Sequence, residues 1–196
     1  MNAYKKGVLL TDNKKDTAAF AAILARKLYG RTFKPKPENV TKMYPDYMLR
    51  KDRDKLANRL GKAMKLLEDK QDDDLELEFV KMARNVITYG AWFFLVNVKL
   101  VKARAGKNGD ESHVGVNDNG LHIISTQTRK VKTFQFEEFI PSGDPKNPTV
   151  LKVETRNAAF LIESPFVRFL KKILTKFHPS FEFSSQPKPV ATSLSI

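Results

Sequence analysis

Tyr89-Gly90-Ala91-Trp92-Phe93-Phe94-Leu95-Val96 is the stretch where the character of the chain changes. Before it, Leu75, Phe79, Met82, Ala83 and Val86 recur at helical spacing and give one apolar face. Gly90 is suited to close that helix, because glycine enters the left-handed region without a steric cost. After it, the aromatic and β-branched run from Trp92 to Val96 suits a buried strand. A helical unit therefore meets a β unit across almost no linker.

Outward from this junction, composition sets the limits. The 196 residues can hold one large domain or two small lobes, each with a core. No apolar run reaches the roughly 20 residues of a membrane-spanning helix, and Met1-Asn2-Ala3-Tyr4-Lys5-Lys6 has no signal-peptide core. With no cysteine there is neither a disulfide framework nor a thiolate metal site, which favours a reducing compartment. The three histidines, His113, His122 and His178, are too scattered to build a metal centre. No cofactor is expected.

The net charge of +13 points to anionic partners such as phospholipid head groups, nucleic acid or acidic proteins. Up to Leu67 there are seventeen Lys and Arg against six Asp and Glu, whereas residues 68–78 hold seven acids and only Lys70. Asp72, Asp73 and Asp74 fall where a helix begins and complement its dipole. They lack the alternation and turn glycine of a calcium loop.

Along the helical half, Phe20, Ile23, Leu24 and Leu28 line an alanine-rich helix over 16–29, stopped by Gly30. Pro35, Pro37 and Pro45 break the next stretch into loop, with at most a short helix around 39–44. Leu56, Leu60, Ala63, Met64 and Leu67 form another stripe, with Arg59, Lys62 and Lys65 facing away. Beyond Trp92 the expected strands are 93–102, 113–116, 121–125, 131–136, a short stretch near Phe139, 149–154 and 158–162. Asn119-Gly120 is a hairpin signal. Ser164-Pro165 opens a last helix expected to bury Phe166, Phe169, Leu170, Ile173, Leu174 and Phe177. Residues 179–196, rich in Ser and Pro, read as a disordered tail.

Met43-Tyr44-Pro45-Asp46-Tyr47, the segment from Glu76 to Tyr89-Gly90, and Phe93-Phe94-Leu95-Val96 together resemble the second and third lobes of a FERM domain, with talin nearest in flavour. The resemblance covers roughly residues 10–177. It implies an α+β fold of two lobes: an acyl-CoA-binding-protein-like helical bundle over 1–90, then a PH/PTB-like seven-strand β sandwich over 91–178, capped by a C-terminal helix. The ubiquitin-like first lobe of a full FERM domain is absent from this sequence. The implied function is that of a non-enzymatic adaptor at the inner face of the plasma membrane. It would bind phosphoinositide membrane and a receptor's cytoplasmic tail, and link them to the cytoskeleton in cell adhesion through flanking regions. No Ser/His/Asp set, phosphate loop or metal spacing emerges; Gly106-Lys107-Asn108-Gly109 lies between strands and opens no helix.

For lipid contact the resemblance points to Lys99, Lys102, Arg104 and Lys107, on and after the first strand of the β lobe. Lys14, Lys15, Arg26, Lys27, Arg31, Lys34 and Lys36 are the helical lobe's richest basic patch and a second candidate. Lys171, Lys172 and Lys176 read as the solvated face of the last helix. Phosphotyrosine-binding-like lobes pair an extended peptide with the fifth strand beside the last helix. That implies a peptide site at Glu138, Phe139, Ile140, Pro141 and Ser142 with Leu170 and Ile173. Talin has an arginine-tryptophan pair where this chain has Phe139 to Gly143, so a ligand different from an integrin tail is expected. The rival readings are a nucleic-acid-binding basic protein and the cargo-binding FERM tail of a motor protein. Against the first, most aromatics fall where a core needs them, and no nucleic-acid partner is expected.

Overall fold

Asn13 starts the first helix: its side chain accepts from the Lys15 N–H, and α1 then runs Lys14–Tyr29. The computed structural model describes residues 4, 7–9, 13–49, 52–101, 109–144, 146–181 and 183. Alanines leave α1 thin, so it can be surrounded: Phe20, Ala21, Ala22 and Ala25 are wholly buried. Gly30 ends it at φ 75°, and its N–H returns to the Arg26 carbonyl. The proline-rich segment forms two single 3-10 turns, Val40–Lys42 and Asp46–Met48. Helices α2 (Arg53–Lys65) and α3 (Asp72–Arg84) follow.

These helices share a core with Tyr4, Tyr44, Leu56, Leu60, Leu75 and Phe79. Tyr4 and Phe79 flank Phe20, at ring-centroid distances of 5.4 and 5.0 Å. Burial raises the Tyr44 phenol to about 12, and its hydroxyl donates to the Leu56 carbonyl at 3.3 Å. Asp72, Asp73 and Asp74 lie in the first turn of α3, as their charge suggests. One expectation is corrected here. α3 closes at Arg84 with Asn85 as its cap, and Gly90, at φ 74°, sits beyond a further run of turns. Apolar spacing continues through Val86 because that turn also packs into the core.

The chain divides into two compact units, Met1–Ala91 and Trp92–Ile196. The second holds β1 (Trp92–Leu100), β2 (Asp110–Asn117), β3 (Gly120–Ser125), β4 (Val131–Phe134), β5 (Phe139–Gly143), β6 (Val150–Thr155) and β7 (Ala159–Glu163). All pairings are antiparallel, in the order β4-β3-β2-β1-β7-β6-β5. β1 pairs with β2 from Trp92 to Val98 and with β7 only from Asn97 to Leu100, so the sheet turns over along this strand. Val96, Val114 and Leu121 on one half thus share a core with Leu151, Val153 and Ile162 on the other. That is a seven-strand sandwich.

Helix α4 (Val167–Phe177) covers it through Val167, Leu170 and Leu174. Ser164 is not its cap. It accepts from the Phe166 N–H in a separate turn, and Phe166, the residue before the helix, makes no side-chain cap. Phe166 and Phe169, expected in the core, are 47% and 56% exposed. A helix shows the sheet one stripe only, and Val167, Leu170 and Leu174 fill it.

Between β2 and β3, Asn117 Oδ1 accepts from the Asn119 N–H at 2.8 Å, and Gly120 follows at φ 117°. The wholly buried His122 is clamped between Asn117 Oδ1 (2.8 Å) and Thr133 Oγ1 (2.9 Å). Since Asn117 Oδ1 already accepts from the backbone, His122 Nε2 carries the proton and Nδ1 accepts from the Thr133 hydroxyl.

Candidate functional site

A cavity of about 300 Å³ opens in the β unit where β1 ends, β2 begins and β3 turns into β4. Val98, Ile123 and Phe160 contribute apolar lining, Lys99, Lys130 and Lys132 bring cations, and Ser112, Ser125 and Thr128 bring hydroxyls. Asp110 is the acidic member of the lining. The β3–β4 hairpin sets two of the lysines. Ser125 and Lys130 bond across it, the Arg129 N–H reaches the Ser125 carbonyl at 2.9 Å, and Arg129 takes the unusual φ of 56°. Lys130 stands just before β4 and Lys132 on it, and both line the cavity. Lys132 Nζ also lies 6.0 Å from the centre of the Phe160 ring. Three ammonium groups and three hydroxyls around one cavity suit a phosphorylated, multiply anionic group.

Of the residues expected to meet lipid, Lys99 lines this cavity. Lys102, Arg104 and Lys107 lie outside the described residues. Lys130 and Lys132 were missed: they are far from Lys99 in sequence, and only the order β4-β3-β2-β1 brings them to one end. Their two-residue spacing at the start of an expected strand was the available signal.

The basic residues of the helical unit separate. Lys14 and Lys15 sit at the start of α1, while Arg31 and Lys34 lie past its end, roughly 24 Å away for a helix of 16 residues. Arg31 and Lys34 instead line a second cavity of about 620 Å³ with Lys62 and Lys65. Lys36 lies 4.0 Å from Glu38.

Two members of the patch are engaged within the unit. Lys27 pairs with Glu76, whose carboxyl it holds below the usual range. Arg26 is buried, with Nη1 and Nη2 donating to the Leu67 and Lys70 carbonyls, each at 3.0 Å, and Nε 3.3 Å from Asp72. Arg26 is therefore a structural tie, correcting its place in a lipid-facing patch.

The expected peptide strand is β5, which among the described residues is an edge strand paired with β6 alone. Glu138 belongs to the preceding 3-10 turn, where its carboxylate accepts from the Gln135 N–H. Strand alternation points Phe139 and Pro141 inward and leaves Ile140 69% exposed, with Ser142 half-buried. Phe139 and Pro141 therefore belong to the buried side of the strand. Leu170 is 1% exposed and belongs to the core, which corrects its place in a peptide site. Ile173 is partly buried against the same core. Lys171 was read as solvated, yet its Nζ lies 2.6 Å from where a Cβ on Gly143 would stand. The Lys171 side chain therefore reaches from α4 to the end of β5.

A sandwich of seven antiparallel strands with a helix covering one opening defines a PH/PTB-like unit, here preceded by a helical bundle. Residues 111–173 match the family model described as KRIT1/FRMD8, FERM domain C-lobe. The human myosin 7b C-terminal MyTH4-FERM domain, solved in complex with the harmonin-a PDZ3 domain, superposes with a TM-score of 0.67 at 16% identity, over 91% of this chain and 36% of that one. A Dictyostelium discoideum myosin VII MyTH4-FERM MF2 domain gives 0.64 at 18% identity, over 92% and 36%. The Drosophila Merlin FERM and C-terminal domain complex gives 0.50 at 16%, over 91% and 62%. No curated protein matches by sequence.

The chain has the FERM fold, as a helical second lobe followed by a PH/PTB-like third lobe. It spans about a third of the length of the myosin structures. Among the described residues no helix is long and apolar enough to cross a membrane, and no group of three or more His, Asp or Glu could hold a metal ion.

Proposed function

We propose that the chain is a FERM-type adaptor that docks on phosphoinositide-containing membrane through the Lys99, Lys130 and Lys132 cavity. It presents the edge between β5 and α4 to the cytoplasmic tail of a membrane receptor. The observation that carries the lipid reading is the convergence of three lysines and three hydroxyls on a cavity with an apolar floor. Each exposed cation near an anionic surface contributes about 1 kcal/mol. Three together favour binding by about 3 kcal/mol, or roughly two decades of affinity. The net charge of +13 adds non-specific attraction and speeds encounter. Linkage to the cytoskeleton in cell adhesion, or to a motor as its tail, belongs to regions beyond these lobes.

The test is co-sedimentation with phosphatidylcholine vesicles carrying either phosphatidylinositol bisphosphate or phosphatidylserine at matched surface charge. Replacing Lys99, Lys130 and Lys132 with Gln should lower binding to the first by about a hundredfold. Replacing exposed Lys81, Lys172 and Lys176 should lower it only slightly. Equal losses from the two triple variants would show attraction by net charge alone. Tighter binding to an oligonucleotide of matched charge would favour the nucleic-acid reading instead.

A further inference from the structure

Helix α3 divides its charges between two uses. Toward its neighbours Asp72 pairs with Arg26, Glu76 with Lys27 and Glu78 with Lys70, all within the helical unit. Leu75, Phe79 and Ala83 fill the core beneath. On the side turned away from that core stand Asp73, Asp74, Lys81 and Arg84, all exposed. Among the described residues none of these four makes an ion pair. Between the acidic and the basic pair lie Leu77 and Val80, 54% and 37% exposed. Acids in the first turn and bases in the last suit the helix dipole by themselves. The dipole does not account for Leu77 and Val80, which leave apolar surface in water.

The spacing is that of a coiled-coil seam. Asp73, Leu77, Val80 and Arg84 are separated by four, three and four residues, the alternation of a and d positions in a heptad. They are also symmetrical about the midpoint between residues 78 and 79. When an identical helix is laid antiparallel against this stripe, position 73 meets position 84 and position 77 meets position 80. Leu77 of each copy then packs on Val80 of the other, and Asp73 of each faces Arg84 of the other at the two ends. Asp74 and Lys81, on one flank of the stripe, are brought opposite each other by the same arrangement. A parallel pair would instead set acid on acid and base on base, which costs affinity.

We infer that the outer stripe of α3 is a contact surface for a second copy of this chain, docked antiparallel about a two-fold axis through the middle of the helix. A surface that complements itself under a two-fold rotation closes into a dimer and recruits no further copy. The seam from residue 73 to residue 84 is about 17 Å long. A seam of that length falls short of the roughly 1,200 Å² of a stable interface. The dimer is therefore transient, with a dissociation constant of about 100 µM, and the chain is monomeric at micromolar concentration.

The test is sedimentation equilibrium of the full chain from about 10 µM to about 1 mM, a range that brackets this constant. Asp73→Lys/Asp74→Lys and Lys81→Glu/Arg84→Glu each set like charges across the seam. Each variant alone should associate at least about tenfold more weakly than the unmodified chain. Mixed in equal amounts, the two variants should form a one-to-one dimer at least as tight as the unmodified one. The chain carrying all four substitutions should pair with itself again. Reversed charges at the ends of α3 oppose its dipole and loosen the helix; Leu77→Gln avoids this, being neutral and well tolerated in a helix, and should weaken association about tenfold. Amide signals that move with concentration in the unmodified chain should belong to residues 73–84, with those of the β unit unmoved. An unmodified chain that stays monomeric throughout would overturn the inference and leave the stripe to a helix of another protein. Association unaltered by Leu77→Gln would overturn it too, as would failure of the mixed variants to pair while each keeps its helical circular dichroism.

Discussion

Acid should weaken the β unit through His122. The imidazole is wholly buried, and burial holds its pKa down at about 4 against an ordinary 6.5. Its two nitrogens are already engaged by Thr133 and Asn117 as acceptor and donor. The unfolded chain takes up a proton as pH falls below 6.5, while the folded chain resists until about 4. The stabilisation is therefore full above pH 6.5, declines as pH falls through this window, and levels off below about 4. Linkage puts the loss at about 2 kcal/mol by pH 5, against a few tenths at pH 7. Glu76 and Asp52, both held below their ordinary carboxylate values by lysine neighbours, stay ionised at pH 5 and do not confuse the reading.

The assay is urea unfolding at pH 7 and pH 5, followed by circular dichroism and by the fluorescence of Trp92, the single tryptophan. The unmodified chain should lose about 2 kcal/mol between the two values and His122→Gln much less, since Gln reproduces the polar contacts without titrating. Equal losses in both proteins, or none in either, would refute the argument from burial.

Arg26→Met should cost about 2 to 4 kcal/mol in the helical unit, because the Leu67 and Lys70 carbonyls lose a charged donor; an unchanged denaturation midpoint would show that water replaces it. Gly120→Ala would set a Cβ 2.1 Å from the Phe134 carbonyl at a φ of 117°, so the β2–β3 hairpin must shift. A fall in melting temperature of roughly 10 °C or more is expected, and a fall of a degree or two would show that the hairpin relaxes freely.

The order of elements was legible in the sequence because their signals are local. Gly30 closes α1, the aspartates mark the start of α3, and the change of period after Tyr89 marks the passage to β1, whereas α1 begins at Lys14, two residues before the expected start. Chain ends of elements were less so. Val86 keeps helical spacing in a turn, and Ser164-Pro165 imitates a helix start, because the next turn of backbone chooses among partners that local pattern does not reveal. Side-chain direction on α4 was likewise hidden: six apolar residues at helical spacing do not say which ones the sheet covers, and Val167 with Leu170 and Leu174 took the seat while Phe166 and Phe169 stayed outside.

Charge shows the same division most sharply. Composition alone determined the net charge of +13, which needs no fold to be counted. Which cations remain outward was decided by tertiary structure. Arg26 is drawn inward to meet backbone carbonyls 41 and 44 residues away. Lys99, Lys130 and Lys132 are collected at one cavity by pairings between strands distant in sequence. Phe181 and Phe183, which sequence reads as part of a disordered tail, pack against the core of the β unit once that core has assembled. Residue 182 and the tail from residue 184 onward lie outside the described residues. Local pattern records the torsional and solvation preferences of neighbours in the chain, whereas a cavity or a groove exists only between surfaces that folding brings together.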